Sequence, residues 1–130
     1  MKKIILIIII ILELFLIKIP PYIELNNLII IEEIAVIKNN NKYTLILKEI
    51  IPIKDDKSIS YKYKYYEETS TSIKKTYNKI NEKNKKRLYL NKTKSLITNI
   101  NTSSNILNEL NIKPKTITHT KEDITKLIKK

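Results

Sequence analysis

The stretch LIIIEEIAVIKNNNKYTLILKEIIPI (residues 28–53) decides the fold, because two strand-like segments flank a polar turn. The first segment, residues 28–38, is rich in β-branched side chains, which favour strands. The turn NNNK follows, and asparagine tolerates the positive φ of a tight turn in a chain that contains no glycine. Residues 42–53 alternate well enough to predict a second strand, and Pro52 marks its end or a sheet edge. The stretch therefore predicts a β-hairpin.

A third strand is predicted by ISYKYKYYEE (residues 59–68), in which Tyr61, Tyr63 and Tyr65 alternate with lysines. This alternation is typical of a half-buried strand that carries its tyrosines on one face. Two interpretations of that face stay open. In the first, the tyrosines pack beneath the helix that follows, because the strand needs an inward face. In the second, they are exposed and stack on the bases of a single-stranded nucleic acid.

The pattern then changes to a helical period. Ile73, Tyr77 and Ile80 recur at intervals of four and three residues, which predicts a lysine-rich helix with a narrow apolar stripe. One of the hydroxyl side chains at residues 70–72 can supply its N-cap.

The remainder of the chain alternates short strands and helices. The predicted elements are a strand at residues 94–100, a helix capped by Ser103 or Ser104 with Ile106, Leu107 and Leu110 inward, a strand with Ile117 inward, and a terminal helix capped by Thr120. The resulting order is β-β-β-α-β-α-β-α. It predicts an α+β domain over residues 22–130, with helices packed on a small mixed β-sheet whose later strands lie parallel to a neighbour.

Residues 1–21 have a different character, since residues 4–19 are apolar except for Glu13 and Lys18. This run is slightly short of the ~17 residues that usually span a bilayer, but Lys18 can reach the interface. We expect a signal anchor or transmembrane helix; a cleaved signal peptide and a buried core helix are the alternatives. The two lysines at its start favour a single-pass protein of the cell membrane whose domain lies on the extracytoplasmic side. Representative anchor positions are Ile4, Leu6, Ile11 and Leu16.

Composition excludes several classes of site. The chain has 130 residues and a net charge of +12, but only one arginine, Arg87, which weakens a prediction of base readout. The absence of cysteine excludes disulfides and thiolate metal sites, and the absence of glycine excludes a P-loop and a Rossmann fingerprint.

The residues that could carry catalysis are few. Glu32 and Glu33 are adjacent, so in a regular strand they point to opposite faces and cannot act as a carboxylate pair. The pair Asp55 and Asp56 fits a solvated turn, and His119 is the only histidine. The sequence therefore predicts no enzyme, no metal site and no cofactor.

Two stretches resemble the N-terminal domain of spore-germination receptor C subunits, the Ger(x)C family. They are IELNNLIII (residues 23–31) and KKRLYLNKTKSLI (residues 85–97), and the resemblance runs from about residue 22 to the end of the chain. The chain lacks the family's usual lipidated cysteine and its larger C-terminal domain, so the hydrophobic segment would have to replace the lipid. The positions that match the family's pattern are Glu24, Leu25, Asn26, Leu28, Leu88, Tyr89 and Lys94.

The resemblance implies a membrane-tethered, non-enzymatic subunit that acts with integral-membrane receptor subunits in nutrient-triggered germination. The sequence as a whole thus predicts an anchored accessory domain that works by protein–protein contact. A basic domain that binds single-stranded nucleic acid, and a cell-envelope accessory protein of unrelated role, are the alternatives.

Overall fold

The computed structural model of the protein describes Ile4, Ile5 and residues 25–130, which contain a six-stranded sheet and three α-helices. A single 3-10 turn, Leu25–Asn27, leads into the first strand. The strands are β1 (Leu28–Asn39), β2 (Lys42–Asp55), β3 (Ser58–Ser70), β4 (Arg87–Tyr89), β5 (Ser95–Thr98) and β6 (Thr116–His119). The helices are α1 (Ile73–Lys83), α2 (Ser104–Leu110) and α3 (Ile124–Ile128). The predicted combination of a mixed sheet with packed helices is confirmed.

The strands lie in the order β3-β2-β1-β5-β6, and the short strand β4 also pairs with β1. The pairs β1–β2 and β2–β3 are antiparallel, whereas β4 and β5 run parallel to β1, and β6 runs parallel to β5. Parallel pairing of the later strands was expected, because a strand that returns after a helical crossover normally runs in the same direction as its neighbour. Strand β4 was not predicted as a separate element, since three residues are too few to show a period.

The turn between β1 and β2 forms without glycine. Asn39 pairs with Lys42, and Asn40 adopts a φ of 52° in the left-handed region. Asparagine reaches this region more readily than most residues because its short amide side chain can form local hydrogen bonds. The predicted asparagine turn is confirmed.

The main core lies between the sheet and the helices α1 and α2. Ile34 of β1 and Leu47 of β2 are direct cross-strand partners at its centre, and both are fully buried. The helices cover them with the stripes that the sequence predicted, which comprise Ile73, Tyr77, Ile80, Ile106, Leu107 and Leu110. Burial of these apolar surfaces supplies most of the drive for folding, at roughly 25 cal/mol for each Å² removed from water.

The opposite face of the sheet is covered only in part. The short helix α3 packs against β1 and β5, and its Ile124 and Ile128 form a small second cluster with Ala35 and Ile46. No helix among residues 25–130 covers the rest of this face, around the start of β1 and the outer half of the β2–β3 hairpin. We call this region the open face; its side chains include Ile30, Glu32, Glu33, Lys48, Ile50, Tyr61 and Tyr63.

Two local predictions near the C-terminus were wrong. Helix α3 is capped by Asp123, whose carboxylate accepts a hydrogen bond from the N–H of Lys126 at 3.4 Å, and not by Thr120. The Thr120 hydroxyl instead accepts from the N–H of Glu122 in the preceding loop. Ile117 lies on the same face as the buried Leu96, its partner on β5, but β6 is the edge strand, so Ile117 is 38% exposed and is not buried in the core as predicted.

The predicted membrane segment, residues 1–21, lies outside the described part of the chain except for Ile4 and Ile5. Ile4 and Ile5 are exposed. Within the residues that the structure describes, no helix has both the length and the apolar character needed to cross a membrane.

Candidate binding surface on the open face of the sheet

Glu32 and Glu33 lie on the same face of the sheet, contrary to the prediction from their adjacency. Ile31 and Ile34 both enter the main core, so the two residues between them must share the opposite face. The pairing register shows the cause: Ile31 pairs with Glu49 and Glu33 with Lys48, so β1 contains one extra residue. Such a β-bulge directs two successive side chains away from the core.

The bulge coincides with a change of neighbour along β1. Strand β4 pairs with the beginning of β1 up to Ile30, whereas β5 pairs with it from Glu33 onward. At the gap between the two strands, the carbonyl oxygen of Glu32 accepts a hydrogen bond from the N–H of Lys94 at 2.7 Å. The extra residue therefore sits where the regular ladder is already interrupted.

Each glutamate on the open face has its own lysine partner. The Lys48 ammonium donates to Glu33 Oε2 at 2.9 Å, and the Lys94 ammonium donates to Glu32 Oε1 at 2.5 Å. The Lys48 side chain is only 11% exposed, while Lys94 is 62% exposed. Glu33 therefore neutralises a cation that is largely removed from water. In the pair formed by Glu32 and Lys94, the carboxylate is largely buried and the ammonium is exposed.

The environment of Lys48 changes its proton affinity. Burial disfavours its charged form, but the hydrogen bond with Glu33 and the charge of that carboxylate outweigh burial, so the pKa of Lys48 is raised. The ammonium also lies 4.5 Å from the centre of the Tyr63 ring, within range of a cation–π contact. Lys48 is therefore a fixed cation at the centre of this face.

Tyr61 and Tyr63 are 56% and 44% exposed, so the first of the two interpretations, in which they pack beneath the following helix, was wrong. Helix α1 lies on the other face of β3, where Tyr66, the partner of Leu47, packs against the core. The Tyr66 hydroxyl donates to Glu49 Oε2 at 2.6 Å, and burial together with this hydrogen bond raises its pKa. The structure thus places the rings of Tyr61, Tyr63 and Tyr65 on the open face, since their partners on β2 are Pro52, Ile50 and Lys48.

A groove of about 360 Å³ borders the same face. Ile30 and Ile50 contribute its apolar part, and the loops that precede β5 and β6 supply its basic rim. That rim comprises Lys92, Lys94, Lys113 and Lys115, accompanied by Glu32, Asn91 and Thr93. We call this feature the lysine groove.

The lysine groove has an excess of cationic groups. Of its four lysines, Lys94 alone forms an ion pair within the described residues, and its carboxylate partner, Glu32, is the one acidic side chain in the lining. The hydrogen bond and charge of Glu32 raise the pKa of Lys94. A cleft with an apolar floor and unpaired ammonium groups is suited to an anionic ligand that also carries an apolar group.

Sequence reasoning missed the lysine groove, although a signal for it exists. Lys92 and Lys94 precede β5, and Lys113 and Lys115 precede β6. Since β5 and β6 are parallel neighbours, the loops that lead into them meet at the same end of the sheet. The grouping follows from the pairing of these two strands, which the sequence did not specify.

The positions that carry the family resemblance are partly brought together. Leu88 and Tyr89 belong to β4 and pair with Ile29 and Ile30, directly after Leu28, so the two quoted stretches are adjacent in space. Lys94 contacts Glu32, as described above. Leu25 and Asn26 form the 3-10 turn before β1, while Glu24 and the anchor positions Leu6, Ile11 and Leu16 lie outside the described residues.

The other candidate residues are not grouped. His119 Nδ1 donates to the carbonyl oxygen of Ile100 at 2.8 Å, and an Asp55 carboxylate oxygen accepts from the N–H of Asp56 in the β2–β3 turn. Among the described residues, no set of three or more histidine, aspartate or glutamate side chains could bind a metal ion. We found no protein family whose pattern matches this sequence, and no curated protein or solved structure that is similar to it.

Proposed function

We propose that this chain is a non-enzymatic accessory domain, tethered to the cell membrane by residues 1–21, that binds an acidic segment of a partner protein. The lysine groove is the observation that supports this proposal most directly. It places Lys92, Lys113 and Lys115 beside an apolar floor and leaves their charges without a carboxylate partner in the described part of the chain. Charge complementarity of this kind favours fast association and selects against cationic partners.

The resemblance to germination receptor C subunits suggests which proteins the domain contacts. It implies integral-membrane receptor subunits as partners and an extracytoplasmic location. A tether at residues 1–21 would hold the groove near such partners, so even a modest affinity would suffice, because tethering raises the effective concentration.

A charge-reversal experiment tests the groove. We expect Lys113→Glu combined with Lys115→Glu to weaken binding of a fluorescein-labelled peptide rich in glutamate and leucine by about tenfold or more, since each change replaces an attraction with a repulsion. The full chain in a neutral detergent would be titrated by fluorescence polarisation. Lys74→Glu with Lys75→Glu, an equal charge change on the exposed side of α1, is the matched control. Equal losses for both pairs would show that the peptide responds to net charge, and would refute the groove.

The exposure of Tyr61 and Tyr63 favours a second candidate function, the binding of single-stranded nucleic acid. Two rings on a strand that also carries Lys62 and Lys64 resemble the stacking platforms of single-strand binding domains. For this function, we expect affinity for a short oligonucleotide to fall steeply with salt and to be lost when Tyr63→Ala is combined with Lys64→Ala. Lack of oligonucleotide binding at low salt would eliminate it.

A further inference from the structure

Three segments lie at the same end of the sheet: the start of the described chain, the tip of a hairpin and a basic loop. Because β1 and β2 are antiparallel, β1 begins at the end of the sheet where the β2–β3 hairpin turns. Strand β4 is parallel to β1 and starts beside Leu28, so the preceding loop lies at this end too. Asn26, Pro52 and Lys86 line one shallow groove there. These three segments form what we call the basal end of the domain.

The β2–β3 hairpin projects from the basal end. Pairing between β1 and β2 stops at Glu49, whereas pairing between β2 and β3 continues to Asp55 and Ser58. The six residues beyond Glu49 can extend about 20 Å at the usual strand rise. Strand β3 alone pairs with them in the described part of the chain.

The projecting tip exposes large apolar side chains to solvent, which is unfavourable in water. Ile53, Ile59 and Tyr61 are 43%, 66% and 56% exposed. They are three of the seven large hydrophobic side chains that are exposed among the described residues, and Tyr63 adjoins them. An exposed apolar patch of this kind usually marks a contact site, and here the contacting surface must be able to bury both isoleucine and tyrosine side chains.

The apolar tip is surrounded by positive charge. Residues 54–64 and 84–87 carry seven cationic side chains against two carboxylates, and all seven cations are exposed. They are Lys54, Lys57, Lys62, Lys64, Lys85, Lys86 and Arg87. None of the seven forms an ion pair within residues 25–130. Apolar and tyrosyl side chains near several cationic side chains suit a phospholipid surface, in which anionic headgroups lie above an apolar layer.

We propose that the basal end binds the headgroups of anionic phospholipids, with Ile53, Ile59 and Tyr61 entering the interfacial layer. The length of the connection supports this location, since the four peptide steps from Pro21 to Leu25 can separate the hydrophobic segment from the basal end by no more than ~14 Å. The inference rests on the membrane tether of the proposed function and adds a second contact that fixes the orientation of the domain. The surface it involves adjoins the lysine groove, since the groove at the basal end and the lysine groove share Ile30 and Ile50.

A single fluorescent label can locate the tip relative to the bilayer. The chain has no cysteine, so Ile59→Cys provides one attachment point for an environment-sensitive dye. Asn41→Cys, in the turn at the other end of β1, is the matched control position. The full chain would be reconstituted into vesicles of phosphatidylcholine, with or without phosphatidylglycerol, and quenching by a spin-labelled lipid would be measured.

We expect the label at position 59, but not at position 41, to be quenched in vesicles that contain phosphatidylglycerol. Lys54→Gln with Lys57→Gln should reduce the population of the quenched state by about fivefold for each cation removed. The same change at Lys74 and Lys75 should leave quenching unaltered, because those side chains lie on α1.

Three results would overturn the inference. If the chain floats with the vesicles but the label at position 59 is not quenched, the membrane tether is supported and the proposed lipid-binding surface is refuted. Equal quenching with and without phosphatidylglycerol would remove the role of anionic lipid. If the chain does not float with the vesicles, both the membrane tether of the proposed function and the lipid-binding surface are refuted.

Discussion

Replacing Leu47 with alanine is expected to lower the free energy of unfolding by about 4 kcal/mol, which is near the upper part of the range for buried leucines. Leu47 lies on the interior strand β2, is fully buried, and has Ile34 and Tyr66 as its cross-strand partners. Strands pair with β2 on both sides and α1 covers it, so the surrounding residues cannot collapse readily into the cavity. For a domain of this size, with a typical stability of 5–15 kcal/mol, the loss is severe.

The matched control for Leu47 is Ile53→Ala, which changes an aliphatic side chain on the same strand and the same face. Because Ile53 is 43% exposed, we expect its loss to change the free energy of unfolding by at most about 0.5 kcal/mol. Both variants would be unfolded with urea in neutral detergent and followed by circular dichroism. Similar losses at the two positions would contradict the placement of the main core beneath α1.

The hairpin and the helices could be predicted because their signals are local. Residues 28–53 combine β-branched segments with an asparagine turn, and no distant contact is needed to recognise them. The stripe of Ile73, Tyr77 and Ile80 likewise lies on a single helix. Most of the apolar residues that specify these elements also enter the core, whereas the asparagines of the turn are exposed.

The faces of β3 and the start of β1 could not be predicted, because both depend on distant segments. Tyr65 and Tyr66 are adjacent, so each face of β3 carries aromatic rings, and the crossing of α1 decides which face is buried. Glu32 and Glu33 share a face because β1 contains a bulge opposite β2, at the point where its other neighbour changes from β4 to β5. A period of two residues in a single strand contains no information on either event.

The same limit applies to the candidate site. Single positions such as Lys94 could be named in advance, but the lysine groove exists only because two parallel strands bring separate loops together. The open face exists because α3 is five residues long and covers only the region around Ala35 and Ile46. The binding surface is therefore a product of topology more than of any one motif.

The ion pair between Glu33 and Lys48 should show a marked asymmetry on mutation. Glu33→Gln leaves an ammonium group that is only 11% exposed without its carboxylate, and we expect the free energy of unfolding to fall by about 2 kcal/mol. Lys48→Met removes the charge but keeps a long unbranched side chain against Tyr63. The remaining Glu33 carboxylate is 28% exposed and can be hydrated, so the expected loss is below about 1 kcal/mol.

The double variant, Glu33→Gln with Lys48→Met, distinguishes a stranded charge from lost packing. If the unpaired ammonium causes the loss in Glu33→Gln, removing that ammonium should restore stability to about the level of Lys48→Met, which is a coupling of about 2 kcal/mol. Strictly additive losses in urea unfolding would show that the two side chains do not depend on each other, and would contradict the assignment of Lys48 as a buried, paired cation.

Alkaline pH provides an independent test of the same pair. The folded-state pKa of Lys48 is raised above its ordinary value of 10.5, so its stabilising contribution is complete below that pH and is lost as pH rises through the raised pKa. Tyr66 and Tyr77 also have raised pKa values, so their contributions are lost as pH rises above the ordinary tyrosine pKa of 10.0. The tyrosine effect is common to the wild type and Lys48→Met. The decline in unfolding free energy above pH 10.5 should therefore be shallower in Lys48→Met, and identical declines would contradict the pairing.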